Sequence, residues 1–188
     1  LALIFFRKEI KFPKNISVQL FRGFFLFIST VFFFYAISII SLAQALTLAF
    51  VSPIMVTVLS IFYLKEKVGI HRWSAVIIGF IGVLIIIRPG FLEINFASIS
   101  AIGAGTAYAF YIIYTRKLSF IDSPVVTLLF TGVVGCIIIS IILPYYWTNI
   151  DLRQLLLLIL LASIGALAHF LIILSLRIGE ASKLAPLG

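Results

Sequence analysis

A single histidine interrupts a long apolar run near the end of the chain. Between Arg153 and Arg177 no Asp, Glu, Lys or Arg occurs, and His169 is the residue there that exchanges protons near neutral pH. Ionisable side chains inside an apolar span are costly, and they face a bundle interior or a wet cavity. Ala162, Gly165, Ala166 and His169 fall on one helical face by i, i+3, i+4, i+7 spacing. Small residues on that face permit close helix approach. Three uses of His169 follow: substrate binding, proton relay, or a packing hydrogen bond to a neighbouring helix.

A second group sits at Tyr108, Tyr111, Tyr114 and Thr115, preceded by Gly103, Gly105 and Thr106. Tyr108, Tyr111 and Thr115 share a face. Rings with a polar tip suit a planar or amphipathic metabolite, although Tyr114 reads better as an interface residue. A third group is Gln44, Thr47, Ser52, Pro53 and Thr57. Pro53 removes a backbone donor in mid-helix, so a kink is expected there. Membrane carriers place such irregularities where freed carbonyls meet substrate. Tyr35 reads equally as a gate or an interface anchor. The candidate substrate-binding set is therefore Tyr35, Gln44, Ser52, Pro53, Tyr108, Tyr111 and His169. Arg22 is expected to snorkel to the near surface, Glu66 to be a solvated interface charge, Gly79 and Gly82 to serve helix packing, and Cys136 to be a packed core thiol. The sequence has no phosphate-binding loop, metal-ligand spacing or catalytic triad, so neither an enzyme, a cofactor nor a metal is expected.

The elements that must position these residues are membrane spans. Hydrophobic residues make up 63% of the chain and charged residues 11%, against about 25% charged in soluble domains. The charge-free stretches between Arg22 and Lys65, Asp122 and Asp151, and Arg153 and Arg177 fit two, one and one crossings, each needing about 20 apolar residues. With the remaining apolar runs this gives spans near 18–38, 43–64, 71–88, 97–115, 124–146 and 154–176. Leu1 to Phe6 reads as the tail of an earlier span. Ser123-Pro124 opens one helix and Pro89-Gly90 closes another.

The net charge of +8 raises the question of nucleic acid, but the basic residues flank spans in small groups, which is how membrane orientation is encoded. The lipid bilayer is the expected partner, and nucleic acid is not. With the loop before the first full span placed in the cytoplasm, twelve Lys and Arg residues fall on that side. Only Arg88 and Arg153 fall opposite. The loops at 7–17, 65–72, 116–123 and 177–183 are then cytoplasmic. A shift of 139 residues lays Tyr35–Leu46 on Leu174–Ala185. Identity is poor, but each window holds a span end, a small-residue turn and the next span's start. The charges also invert: uncharged Ser38 and Gln44 fall on Arg177 and Lys183. Inverted repeats with an odd number of spans require such a swap, and they mark secondary transporters.

Arg22-Gly23, Tyr35-Ala36, Ser52-Pro53, Leu64-Lys65-Glu66-Lys67, Gly79-x-x-Gly82 and Arg88-Pro89-Gly90, in this order and spacing, resemble the EamA type of the drug/metabolite transporter superfamily. The stretch from Leu176 to Pro186 resembles the matching part of the family's second repeat. Within the family the chain is similar to alphaproteobacterial uptake carriers for metabolites such as riboflavin or S-adenosylmethionine. The resemblance implies an all-α, polytopic membrane bundle, part of a ten-helix transporter of two inverted five-helix repeats. Residues 1–90 would hold the end of helix 2 and helices 3–5, and residues 91–188 helices 6–8 and the start of helix 9. It also implies a secondary carrier of the bacterial inner membrane that moves a small organic metabolite by alternating access. The alternatives are ion-independent facilitation, a non-transporting scaffold, and a lipid-handling membrane protein.

Overall fold

The computed structural model describes residues 12–87 and 95–184. The expectations for Leu1–Phe6, Arg88-Pro89-Gly90 and Pro186 lie outside the described residues. All regular structure among the described residues is helical, because a chain this poor in solvating side chains satisfies its backbone most locally as helix.

In chain order the elements are α1 (Ile16–Ile37), α2 (Leu42–Ala49), α3 (Val51–Leu59), α4 (Ile70–Ile87), α5 (Phe96–Leu118), α6 (Pro124–Ile142), α7 (Leu152–Ile178) and α8 (Ala181–Leu184). The sequence marks several starts. Ser123 accepts from Val126 N with Pro124 next, Asn95 accepts from Ser98 N, and Asp151 forms a reciprocal capping box with Gln154. The α2–α3 helix continues as a π turn over Ser60–Leu64. Among the described residues, five helices are long and apolar enough to cross a membrane: α1, Leu42–Leu64, α5, Pro124–Tyr145 and α7. The remaining expected span corresponds to α4, which has 18 residues. Tyr145, Tyr146 and Trp147 are exposed at the end of α6, as an aromatic interface belt would be.

Contacts place the two ends of the bundle. The Lys14 amide donates to Asp122 at 3.0 Å, and Arg72 pairs with Glu180 at 2.7 Å. The loops rich in Lys and Arg therefore share one end, called the basic end below. At the other end Tyr35 meets Phe96 edge-on, and Ala36, Ala45 and Ala101 form a small cluster.

α5 is the centre of the bundle. Ala97, Ala101, Ala104, Ala107 and Ala109 are all buried along it, and their small size lets neighbours come close. A β-carbon at Gly103 would lie 2.9 Å from the Phe32 ring, and one at Gly105 would overlap the Ala49 carbonyl oxygen. α1 crosses the same helix, with the Ser29 hydroxyl donating to the Ala104 carbonyl at 2.9 Å.

The outer helices differ. On α4, Val76 alone is buried among the described side chains, and β-carbons at Gly79 and Gly82 would meet nothing within 4 Å. The expected packing role of these glycines thus finds no partner among the described residues. Gly165 on α7 is equally open, and that helix buries only Ile173 and Leu176 near its basic end. Cys136 is exposed on α6 rather than packed in the core. An apolar stretch is as well satisfied by lipid as by protein, so hydropathy alone does not tell inner from outer faces.

Candidate functional site

The second span breaks where proline demands it. A proline ring clashes with the carbonyl four residues before it and cannot donate to it; for Pro53 that carbonyl belongs to Ala49. The α-helix ends at Ala49 and restarts at Val51, with Phe50 at φ −64° and ψ −1° between them. The Ala49 oxygen, which Pro53 cannot serve as a donor, lies against Gly105, the one residue type that leaves it room. The break therefore seats the span on α5.

Beside this break lies a cavity of about 550 Å³, within the size range of small-molecule sites. Phe50, Ser52 and Pro53 line it from the broken helix, Tyr108 from α5, Ser175 from α7 and Leu184 from α8. The lining is largely apolar, and its polar groups are hydroxyls. The Ser175 hydroxyl already donates to the Ile172 carbonyl at 2.9 Å. An aromatic wall with two further hydroxyls, those of Ser52 and Tyr108, suits a body with a flat apolar face and a hydrogen-bonding edge.

Of the seven residues singled out from sequence, Ser52, Pro53 and Tyr108 line this cavity. Tyr111 and His169 stand behind Tyr108. The Tyr108 and Tyr111 ring centres are 5.5 Å apart, Tyr111 is fully buried, and its hydroxyl lies 3.1 Å from His169 Nδ1. Gln44 lies elsewhere, in a reciprocal capping box with Ser41 at the start of α2, its amide 3.3 Å from Ser41 Oγ. Tyr35 is at the same far end, against Phe96.

Two residues depart from expectation. Arg22 does not snorkel; it is completely buried. Its Nε donates to Gln19 Oε1 at 3.2 Å, and Nη2 donates to the Thr127 carbonyl and to Thr131 Oγ1. Its guanidinium carbon stands 5.4 Å from the Tyr111 ring centre, a cation–π distance. Gln19 in turn donates to Asp122 at 2.9 Å. Asp122, Gln19, Arg22, Tyr111 and His169 thus form one polar chain that leads from the basic end into the bundle. A buried guanidinium requires such partners, because desolvation without them is prohibitive. The sequence signal was Gln19 three residues before Arg22, with Thr127 and Thr131 one turn apart on another helix.

Glu66 is the second departure. It is not a solvated charge; its side chain is 9% exposed. Its carboxylate accepts from the amides of Ala181 and Ser182 and from the Ser182 hydroxyl. The left-handed backbone of Lys65, φ 54°, reverses the chain after the π turn and delivers Glu66 to α8.

Residues 1–88, which contain the broken helix and Glu66, match the EamA-like transporter family. Among curated relatives, an S-adenosylmethionine uptake transporter of Rickettsia bellii is 26% identical over 98% of this chain and 63% of its own length. Its namesake from Rickettsia conorii is 24% identical over the same shares. A riboflavin transporter of Vibrio cholerae is 42% identical over 43% of this chain and 27% of its own length. The chain therefore spans less than two thirds of the length of these relatives. No solved structure matches it. With five helices among the described residues long and apolar enough to cross a membrane, the chain is a multi-pass membrane protein whose first half is similar to EamA-like transporters.

Proposed function

We propose that this chain is the central portion of a secondary carrier that moves a small organic metabolite across a bacterial inner membrane. The carrying observation is the cavity beside the Pro53 break. Its walls come from both halves of the chain: Phe50, Ser52 and Pro53 before residue 90, and Tyr108, Ser175 and Leu184 after it. Broken helices at the interface of repeats are where carriers hold substrate.

In this reading, residues 1–90 belong to the first repeat and residues 91–188 to the second. The start of α2 at Leu42 and that of α8 at Ala181 differ by 181 − 42 = 139 residues, the offset that aligns the two windows in sequence. The basic end faces the cytoplasm, following the positive-inside rule. The open faces of α4 and α7 are where the remaining helices of the whole carrier pack. Alternating access is a rocking of one repeat against the other, with the substrate lying on the Phe50–Tyr108 wall. Ser52 and Tyr108 supply its polar contacts. Tyr111 and His169 form the layer behind that wall and fix the orientation of α7 against α5.

S-adenosylmethionine and riboflavin, carried by relatives according to their names, are the first substrates to test. The full-length protein in liposomes, preloaded with one of these compounds, should accumulate its labelled form by counterflow. A panel adding amino acids and nucleosides that gives no exchange with any compound overturns the reading in favour of a scaffold.

A further inference from the structure

Leu184 of α8 lines the cavity from the basic end, and α8 does not hold itself in place. Its first two amides, on Ala181 and Ser182, are satisfied by Glu66 at 3.0 and 3.2 Å, from a loop 115 residues away in sequence. The Ser182 hydroxyl donates to Glu66 at 2.7 Å and accepts from Arg72 Nη1 at 2.7 Å. Arg72 also pairs with Glu180 at 2.7 Å. Arg116 stands 3.9 Å from Glu66 and donates to the carbonyl of Leu176, which ends the buried part of α7. The Ala181 and Ser182 groups are thus held by residues 66 and 72, and the Glu180 carboxylate by Arg72 together with Lys183 of the turn itself at 3.4 Å.

The consequence for the cavity is direct. With Ala181 and Ser182 pinned and buried, Leu184 packs into the apolar cluster of Val56, Tyr111, Ile112 and Leu176, where it lines the cavity. The fit is close: a β-carbon at Gly179 would lie 3.1 Å from Leu184 Cδ1. We infer that Glu66 and Arg72 are a latch, holding the 180–184 segment across the basic mouth of the cavity, and that this mouth opens when the latch releases. The closing contacts are strong but replaceable. They are charge-assisted hydrogen bonds at the end of the bundle, where water can take over each donor and acceptor on opening. An apolar seal has no such substitute. That opening is a step of transport rests on the carrier reading above; the closure itself rests on the contacts.

The test uses the full-length protein in a cysteine-free background, including Cys136→Ala on the exposed face of α6, with one cysteine placed at Ser175 inside the cavity. A membrane-impermeant maleimide is added from the basic side. Labelling should be slow with the latch intact, and Glu66→Gln should speed it about tenfold or more, the effect of losing one charge-assisted bond. Arg72→Glu and Glu180→Arg should each speed it, and the two together should restore the slow rate. Should Glu66→Gln fail to fold, the exchanged pair decides the matter. Equal labelling in all variants, or no restoration by the exchanged pair, overturns the latch. Counterflow in the same variants separates the two readings. Exchange that persists while labelling ignores the latch residues refutes the latch alone. Labelling that follows the latch in a protein that exchanges nothing refutes the carrier alone.

Discussion

In the two-repeat reading proposed above, the turn at Ser38–Ser41 corresponds to that at Arg177–Glu180, 139 residues further on. They begin their next helices in opposite ways. The first is self-contained: Ser41 and Gln44 cap each other across 3.2 and 3.3 Å, with no charge in the turn. The second borrows its caps, taking Glu66 and Arg72 from the other half of the chain. A local cap stays formed whatever the rest of the molecule does, whereas a borrowed one comes apart when its lender moves. One end of the bundle is therefore built to stay shut against α5, and the other to release.

The sharpest way to break this comparison is to attack the permanent side. Gly105→Val places a branched side chain on the Ala49 carbonyl oxygen. Overpacking that meets backbone costs at least about 1–3 kcal/mol, so this variant should show a large loss of folded protein by size-exclusion in detergent. Normal yield would mean that the α2–α5 contact is not fixed. Next in size is Glu66→Ala. Hydrogen bonds to charged groups contribute about 1.5–3 kcal/mol each, so hydrogen exchange at the Ala181 and Ser182 amides should rise by about 10- to 100-fold while that of α2 amides stays unchanged. A parallel rise in both regions would abolish the distinction between the turns.

A smaller effect is expected from Ser41→Ala. Loss of a serine cap costs about 1 kcal/mol and should raise exchange only at the start of α2, leaving α8 untouched. Smallest is the pH response of Glu180. Burial raises the pKa of its carboxyl, but Lys183 and Arg72 outweigh that and hold it below the ordinary carboxylate value. Its pairing is thus fully present above the ordinary value and is lost only as pH falls through the lowered one. Labelling of the basic mouth should accordingly be flat between about pH 5 and 8 as far as Glu180 is concerned. A step in that window that disappears in Glu180→Gln would contradict the assignment.

How much of this could be read in advance depended on the range of the interaction. The spans, the Ser123-Pro124 helix start and the break before Pro53 are set by residues within one or two turns, and they were legible. So was the presence of polar and aromatic groups at Ser52 and Tyr108. Arg22 and Glu66 were misread because a long charged side chain at an interface has two outcomes. It solvates, or it meets a partner, and here the partners are 109 and 116 residues away. Glycines show the same limit. Gly103 and Gly105 are tightly packed, while Gly79, Gly82 and Gly165 face open space, and nothing local distinguishes them. Gln44 is polar in an apolar run, a pattern that a capping box and a binding group produce equally well, and the structure shows it in the capping box.

The most direct test of the central claim asks whether the transported compound sits in the cavity beside the broken helix. A single cysteine at Ser52 in the cysteine-free, full-length protein, labelled with a small maleimide, gives the measurement. The compound exchanged in counterflow should slow that labelling in a concentration-dependent way, with half-protection near its half-saturation for exchange. Exchange of a compound that leaves Ser52 labelling unchanged at saturating concentration would contradict a substrate path through this site.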